Sequence, residues 1–339
     1  MASIAPKSFR ELINAEIPDK LWHYTDFSGF HGIVKSKRIY ATHIRHLNDR
    51  AEFHHGIGIA KEMLEGVVAQ HVGDDDLLKT YLPEIVLGLF QDGGVLSHQK
   101  LNVFTASFTL LEDRLSQWRS YSKGSSGVSL GFDLRAFRPP EDSGTLATFA
   151  PCVYDDYAKR DLIQQTISEF AENALALSQS VTDPAVIMKS LLELQRTNPG
   201  LIYEEAEKKY LVIQQKQIQK QLDEAQTLIA GKILRLAALL KHSAFDEEHE
   251  WRFALPTLTN RPPTQDTIRF RSRHNTLVPY IPFRIFGMLG EAEVLPLTDV
   301  IIGPGADFDI AIDAARTFLE SEGIKNVEPR RSNIPYNPS

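Results

Sequence analysis

The sequence predicts an α+β fold with mainly antiparallel sheets, flanking helices and one long inserted α-helical hairpin. Short segments rich in aromatic and β-branched residues occur toward both ends of the chain, and no regular crossover helices separate them. Residues 201–230 contain no glycine, proline or tryptophan, and their apolar residues recur at the spacing of an amphipathic helix. From Phe245 onward aromatic residues, arginine and proline return, which indicates that strands resume.

The hairpin divides the chain into three predicted segments. We expect residues 1–158 and 242–339 to be two parts of one α+β core, with residues 159–241 as the inserted hairpin. Pro184 breaks the first arm of the hairpin, and the run Thr-Asn-Pro-Gly at 197–200 is the turn. An amphipathic helix of this length needs a partner surface, which is either the core or a second copy of the chain in a homodimer.

Local periodicity and turn signals assign the individual elements. Strands are expected at residues 21–25, 38–42, 101–109, 127–133, 148–154, 250–255, 267–273 and 300–302. Helices outside the hairpin are expected at residues 28–36, 49–70, 74–90, 111–121 and 307–322. In the fourth of these strands, Gly127 and Gly131 predict that another backbone lies close by.

The composition excludes several classes of protein. Of the 339 residues, 42% are hydrophobic and 24% are charged, which is typical of globular chains and excludes disordered and collagen-like ones. The single cysteine, Cys152, excludes an internal disulfide framework and a zinc site built on several cysteines. No apolar stretch is long enough to span a bilayer, and residues 1–20 lack the apolar core of a signal peptide. We therefore expect a cytoplasmic protein with no membrane partner.

The net charge and the absence of known motifs exclude some functions but indicate none. The formal net charge of −7 gives no global basic footprint for nucleic acid. The patterns GxGxxG, GxxxxGKS/T and GxSxG are absent, so the common phosphate loops and the nucleophile elbow have no support. Asn48 or Asp49 is expected to cap the helix that follows. Four nearby histidines without HExxH spacing are expected on the surface rather than as metal ligands: His43, His46, His54 and His55.

Two groups of aromatic residues are candidates for binding. His23 stands in the run Trp-His-Tyr-Thr at 22–25, where an isolated histidine is usually a hydrogen-bonded core residue. Trp118 and Tyr121 lie three residues apart on one helix face, after Ser107 in the preceding strand. This aromatic pair is explained either by core packing or by a flat wall against which a nicotinamide or a base stacks.

An acidic run precedes the sixth predicted strand. Glu248 and Glu250 share one face, where two carboxylates repel each other unless they are solvated, paired or used. One interpretation is that Glu250 pairs with an arginine of the late strands, the candidates being Arg252, Arg269 and Arg271. The other is that Glu250 is a catalytic carboxylate that stabilises positive charge developing on a sugar.

Three arginines alternate along the seventh predicted strand. They stand at positions 269, 271 and 273, so they share one face of the strand. In an acidic chain they predict a local anion site for phosphate, pyrophosphate or an acidic partner. A surface ladder of ion pairs with the neighbouring acids explains them equally well.

The order of these motifs resembles an uncharacterised family, catalogued as domain of unknown function 2971. Five pieces carry the resemblance. They are LWHYT at 21–25, LNDRxE at 47–52, the block from Ser107-Phe108 through Trp118-x-x-Tyr121 to GVxLGF at 127–132, the piece from Phe245 to ExEWR at 248–252, and the tail from VIIGP at 300–304 to SxIPY at 332–336. These pieces span most of the chain outside the hairpin, and the family name implies no activity.

The same residues resemble, more distantly, ADP-ribosyltransferases. Those enzymes carry a histidine or arginine on the first core strand, an aromatic or serine-rich middle segment and a glutamate on a late strand. His23, Ser107 and Glu250 stand in that order, and Glu248-His249-Glu250 matches the ExE form of some members. The resemblance implies an ADP-ribosyltransferase-like fold that uses NAD as substrate without a metal, to transfer ADP-ribose to a macromolecule or to hydrolyse NAD. By analogy it implies a bacterial toxin or defence effector.

The resemblance also implies a role for each candidate residue. His23 would orient the nicotinamide ribose, Glu250 would be the key carboxylate and Glu248 would position the acceptor. Tyr24 and Tyr121 would pack against the nicotinamide ring. The remaining contacts to NAD would come from Thr25, Ser107, Trp118, Arg269 and Arg271, of which the arginines would hold the pyrophosphate.

Three other functions remain open on the sequence. A non-catalytic nucleotide-binding or effector-sensing module would use the same arginines and aromatic residues. A nuclease-type effector would use His23 and Glu250 as acid and base. A scaffold would dimerise through the hairpin, with its acids and arginines merely paired with one another.

Overall fold

The chain folds as an α+β protein with one mixed, mainly antiparallel ten-stranded sheet and flanking helices, which confirms the predicted class. The computed structural model describes residues 6–47, 50–70, 78–92, 94, 96, 102–122, 126–135, 137, 147–182, 184–198, 203–257, 268–273, 276–285, 295–305 and 307–335. The expected helix caps Asn48 and Asp49 lie outside these residues. Within the described ranges, no helix combines the length and the apolar character needed to cross a membrane.

The elements are numbered in chain order. The strands are β1 (Leu21–Thr25), β2 (Ile39–His43), β3 (Asn102–Thr109), β4 (Val128–Phe132), β5 (Thr148–Pro151), β6 (Glu250–Thr257), β7 (Arg269–Arg273), β8 (Thr276–Phe283), β9 (Leu297–Ile302) and β10 (Pro329–Arg331). The helices are α1 (Phe9–Ile13), α2 (Phe27–Ser36), α3 (Arg50–Gln70), α4 (Leu78–Phe90), α5 (Leu115–Tyr121), α6 (Asp156–Thr182), α7 (Pro184–Thr197), α8 (Tyr203–Leu239) and α9 (Phe308–Ser321). Short 3₁₀ helices at Ile44–His46 and Ser243–Glu248 follow β2 and precede β6.

Strand β3 pairs with more strands than any other in the described sheet. The order along the main path is β10-β9-β4-β1-β3-β2-β8-β7, while β6 also pairs with β3, and β5 pairs with β6. The ladder between β3 and β6 runs the whole length of β3, from Asn102 to Thr109. Strands β9 and β10 run parallel, whereas the other ladders between these strands are antiparallel.

The edge of β3 that faces β1 and β2 is shared between these two strands. Strand β1 pairs with β3 where Trp22 lies opposite Thr109. Strand β2 pairs with β3 nearer its start, where Thr42 lies opposite Thr105. Between these two points the sheet divides, and we refer to the opening beside residues 106–108 as the fork.

Two hydrophobic cores lie on opposite faces of the sheet. The first contains Val103 of β3 and Ala254 of β6 with buried residues of α1, α3, α4, α6 and α8. The second contains Phe104 of β3 and Phe253 of β6 with buried residues of α2 and α9. Because side chains alternate along a strand, neighbouring residues of β3 and β6 supply different cores.

The predicted helical hairpin is present and consists of three helices. Helix α6 ends at Thr182 and α7 begins at Pro184, which confirms the break predicted there. Buried residues of the first half of α6 and of the last turns of α8, such as Ile167 and Ile233, belong to the first core. Both ends of the hairpin are therefore anchored in that core, and the division of the chain at residues 159 and 241 stays a prediction.

Strands β8 and β10, the short helix α1 and the two 3₁₀ helices were not predicted from the sequence. Strand β8 contains Pro279 and Pro282, and proline argues against a strand because it cannot donate a hydrogen bond to the ladder. Strand β10 and helix α1 have only 3 and 5 residues, which is too short for a periodic signal. The other described elements lie within a few residues of their predicted bounds.

Gly127 brings the chain before β4 close to the backbone of β1, as the sequence predicts. A Cβ atom at Gly127 would overlap the carbonyl oxygen of Thr25. At Gly131, a Cβ atom would lie 3.0 Å from Cζ3 of Trp22. The close approach of the two strands therefore depends on the missing side chains.

We expect Gly127→Ala to lower the free energy of unfolding by about 1–3 kcal/mol, because backbone cannot move aside as a flexible side chain can. The matched control is Gly58→Ala in α3, where nothing lies within 4 Å of an added Cβ atom. That change should raise the free energy of unfolding by about 0.5–1 kcal/mol. Urea denaturation measures both, and a Gly127→Ala variant as stable as the wild type would contradict the close approach.

Candidate functional site

His23 lies at the fork and is half-buried. Its Nδ1 donates a hydrogen bond of 2.8 Å to the carbonyl oxygen of Ser107, in the stretch of β3 between the β1 and β2 ladders. A carbonyl oxygen can only accept, so Nδ1 carries the proton. The ring also lies against Phe108, with 5.5 Å between the two centroids. The sequence-based interpretation of His23 as a hydrogen-bonded residue therefore holds.

The surroundings of His23 keep its imidazole neutral. Desolvation lowers the pKa of the imidazole below its ordinary value of 6.5, the hydrogen bond to Ser107 opposes this, and the positive charge of Arg271 lowers it further. With Nδ1 protonated and the ring neutral, Nε2 is a hydrogen-bond acceptor. A neutral histidine held in one tautomer is suited to accept a hydrogen bond from a hydroxyl group.

Arg271 brings a positive charge close to His23. Its Nη2 donates a hydrogen bond of 2.8 Å to Oγ1 of Thr42, and its guanidinium lies 5.7 Å from the centroid of the Tyr280 ring. Arg269 is exposed and lies on the same face of β7, as the predicted alternation requires. The side chain of Arg273 lies outside the described part of the chain.

Four charged side chains form a buried cluster between the end of α8 and the start of β6. Nζ of Lys241 lies 2.7 Å from Oε2 of Glu248 and 2.5 Å from Oε2 of Glu250. Nε of Arg252 lies 2.7 Å from Oε1 of Glu250, and its Nη1 donates to the carbonyl oxygen of Ala238 at 2.9 Å. The side chains of Lys241 and Arg252 are 0% and 2% exposed. We refer to Lys241, Glu248, Glu250 and Arg252 as the ion cluster.

The local backbone explains how these charges meet. Glu248 ends the 3₁₀ helix, His249 takes a left-handed φ of 42°, and Glu250 begins β6. Alternation along β6 puts Arg252 on the same face as Glu250. The backbone N–H of Lys241 donates to the carbonyl oxygen of Val153 at 3.0 Å, which fixes the chain after α8.

The ion cluster keeps Glu250 ionised. Desolvation raises the pKa of its carboxyl group, but the charges of Arg252 and Lys241 and their hydrogen bonds outweigh this and lower the pKa to about 2. Both carboxylate oxygens of Glu250 are occupied by these ion pairs. The arginine pairing that the sequence left open is therefore present, with Arg252 as the partner, and a catalytic role of Glu250 stays a prediction.

Glu248 connects the ion cluster to the strand that forms the fork. The hydroxyl of Tyr121 donates to its Oε2 at 3.1 Å, and Oγ1 of Thr109 donates to its backbone carbonyl oxygen at 2.6 Å. Thr109 and Ser107 are two residues apart on one face of β3. Glu248 is thus held by Thr109, which lies two residues along β3 from the carbonyl oxygen that binds His23.

Trp118 and Tyr24 are packed side chains. Trp118 is fully buried, its ring meets that of Tyr24 edge-on at 4.7 Å, and its Nε1 donates to Oδ1 of Asp113 at 2.7 Å. Tyr24 is buried as well, its hydroxyl donates to the carbonyl oxygen of Leu111 at 3.1 Å, and burial raises the pKa of that hydroxyl. Core packing is thus the explanation that holds for Trp118, which has no exposed surface for a ligand. Thr25 is half-buried at the end of β1.

Lys241 and Asp113 were missed from the sequence. Lys241 follows the apolar last turns of α8 and precedes an acidic run, and that order was a usable signal for a buried ion pair. Asp113 accepts hydrogen bonds of 2.7 Å from Oγ of Ser332 and from the backbone N–H of Asn333, so it holds the C-terminal segment against α5. This contact joins residues far apart in the chain, and no local pattern marks it.

We expect Glu250→Gln to lower the free energy of unfolding by about 3–5 kcal/mol, because it leaves the buried cations Lys241 and Arg252 short of one negative charge. Glu247→Gln is the control, since Glu247 is exposed in the 3₁₀ helix and its loss should change stability by less than about 0.5 kcal/mol. Urea denaturation of the two variants measures the difference. A Glu250→Gln variant with wild-type stability would show that the ion cluster is not structural.

The stability that Glu250 contributes should depend on pH in the acid range. Its folded pKa of about 2 lies below the ordinary value of 4.5, so the contribution is complete above pH 4.5 and is lost as the pH falls toward about 2. We expect the difference in the free energy of unfolding between wild type and Glu250→Gln to shrink through this window. Urea titrations above and within the window measure it, and a constant difference would be inconsistent with the ion pairs.

Comparison with known proteins identifies part of the chain. Residues 117–253 match the model of a family described as "Protein of unknown function (DUF2971)". The matched segment begins in α5, includes the hairpin and ends in β6, so it contains the ion cluster, whereas His23 and the C-terminal tail lie outside it. No curated protein and no solved structure matches the chain. The predicted resemblance to the domain-of-unknown-function 2971 family is thereby confirmed for residues 117–253.

Proposed function

We propose that the chain is a nucleotide-binding module whose site is the fork, with NAD as the first ligand to test. The observation that carries this proposal is the half-buried His23, which is fixed on the carbonyl oxygen of Ser107 and whose pKa is lowered by burial and by the charge of Arg271. Nε2 of such a histidine accepts a hydrogen bond from a ribose hydroxyl, and a guanidinium group binds phosphate through charge-assisted hydrogen bonds. The two side chains therefore match the two polar parts of a nucleotide.

Ser107 adds to this interpretation, because its carbonyl oxygen holds the imidazole of His23 and its side chain is half-buried beside the fork. Tyr121 is half-buried as well, but it packs against Trp22 and Tyr24, which alternate with His23 along β1 and therefore lie on the other face of that strand. A half-buried site with one acceptor and one cation has the polar character that a ribose phosphate needs.

A second candidate is the reaction that the resemblance to ADP-ribosyltransferases implies. The bond between ribose and the nicotinamide nitrogen breaks, and its electron pair leaves with nicotinamide. Water or a nucleophile of a macromolecule then adds to the ribose and gives up a proton. His23 would hold the ribose, Glu250 would be the carboxylate that faces the positive charge on the sugar, and Glu248 would position the acceptor. The hydrogen bond between Glu248 and the half-buried Tyr121 favours this candidate.

Charge balance favours binding over chemistry. In the ion cluster, both carboxylate oxygens of Glu250 and Oε2 of Glu248 are already paired with Lys241 or Arg252. A carboxylate stabilises a developing cation only with charge that is not already neutralised. A nuclease-type role is disfavoured as well, because Glu250 with a pKa of about 2 has no proton to donate near neutral pH.

We expect His23→Asn to weaken NAD binding by about 0.5–1.5 kcal/mol without unfolding the protein. The asparagine amide still donates to the carbonyl oxygen of Ser107, but it places no acceptor where Nε2 stands. Titration calorimetry measures the affinity. The control is His55→Asn on an exposed position of α3, which should bind as the wild type does. Equal affinity in both variants would remove His23 from the site.

Nicotinamide release separates the two candidate functions. Purified protein is incubated with NAD, and free nicotinamide is followed by chromatography alongside the binding titration. Binding without release supports the module, whereas release that disappears in Glu248→Gln supports the enzyme. If neither NAD nor other nucleotides bind the folded wild-type protein, the proposal is wrong.

A further inference from the structure

We propose that a surface next to the fork binds single-stranded nucleic acid. The surface consists of Tyr40, Tyr280, Arg269 and Arg271 on one face of β2, β8 and β7, and we refer to it as the platform. This inference rests on the proposed function, because it makes the nucleotide at the fork one residue of a longer strand. Proteins usually bind single strands with aromatic rings that stack against the bases and nearby cations that bind the phosphates.

The register of the strands puts the four side chains on one face. Thr42 of β2 lies opposite Tyr280 of β8, and Tyr280 lies opposite Arg269 of β7. Tyr40 and Arg271 stand two residues away from Thr42 and Arg269, so they point to the same side. The platform therefore crosses three neighbouring strands.

The two tyrosines provide the surface on which bases would stack. Their ring centroids are 4.8 Å apart with an angle of 43° between the planes, and both residues are half-buried. The hydroxyl of Tyr40 donates to the carbonyl oxygen of Gly32 at 3.1 Å, which holds that ring in place. A fixed, partly exposed pair of rings offers π-faces to any base without selecting its sequence.

The two arginines provide the charge. The guanidinium of Arg271 lies 5.7 Å from the centroid of Tyr280, a distance at which cation and ring attract each other. Arg269 is exposed directly opposite Tyr280 in the ladder. Alternating arginines beside aromatic rings are complementary to a polyanion that also carries flat bases, whereas an acidic peptide would use only the charges.

The platform and the fork share Arg271. Its Nη2 donates a hydrogen bond to Oγ1 of Thr42. Thr42 pairs with Thr105 of β3, which stands two residues before Ser107. The charge of Arg271 also acts on His23 at the fork. A strand lying on the tyrosines would therefore reach the edge of the fork beside Ser107, whose side chain lies on the same face as Thr42 and Thr105.

Fluorescence anisotropy with a labelled single-stranded oligonucleotide tests the platform. Tyr280→Ala should weaken binding about 5- to 100-fold, the loss that one stacked base predicts. Phe270→Ala is the matched control, because Phe270 is exposed on the opposite face of the same β7–β8 hairpin and its loss should change nothing. Arg269→Gln should weaken binding and reduce its dependence on salt concentration.

Three outcomes would overturn the platform. They are equal binding of single-stranded and double-stranded oligonucleotides, equal loss in Tyr280→Ala and Phe270→Ala, and complete displacement of the oligonucleotide by polyglutamate, which has charge but no bases. If NAD binds and the oligonucleotide does not, only this inference fails. If the oligonucleotide binds and His23→Asn has no effect on NAD, the proposed function fails instead.

Discussion

The buried ion pair between Lys241 and Glu250 joins the helical hairpin to the sheet. Lys241 follows α8 and Glu250 begins β6, and β6 forms the ladder that runs the length of β3. Each buried charge would cost several kcal/mol without its partner, so the helix end and the strand start have to stay together. Arg252 strengthens the same junction, because it binds both Glu250 and the backbone of Ala238 in α8.

The chemistry of the fork follows from this arrangement. The ion cluster holds β6 along one edge of β3, while β1 and β2 divide the other edge between them. A backbone carbonyl inside a sheet needs a donor, and at Ser107 that donor is the imidazole of His23 instead of a neighbouring strand. The same hydrogen bond fixes the tautomer of His23. The topology of the sheet therefore decides that Nε2 is an acceptor.

Local patterns predicted the elements of the site better than their contacts. Alternation placed Arg269 and Arg271 on one face, and β1 was predicted at its observed bounds. Glu248 was expected on a strand face but ends a 3₁₀ helix, and it still meets Glu250 because both bind Lys241. Lys241 follows α8, so the periodicity of β6 could not predict its contact with Glu250. The fork was not predictable either, since it depends on which distant strands pair with β3.

Helical spacing likewise could not decide whether Trp118 packs in the core or faces a ligand. It placed Trp118 and Tyr121 on neighbouring positions of one helix face, but it carried no information about what covers that face. In the structure Tyr24 and Asp113 enclose Trp118, whereas Tyr121 keeps partial exposure beside Glu248. The net charge of −7 likewise carries no information about the charges that surround one site. Beyond about 8–10 Å exposed charges are screened at physiological salt, so the electrostatics of the fork depends on its nearest groups rather than on the net charge. Arg271 is one of these groups, because its positive charge acts on His23.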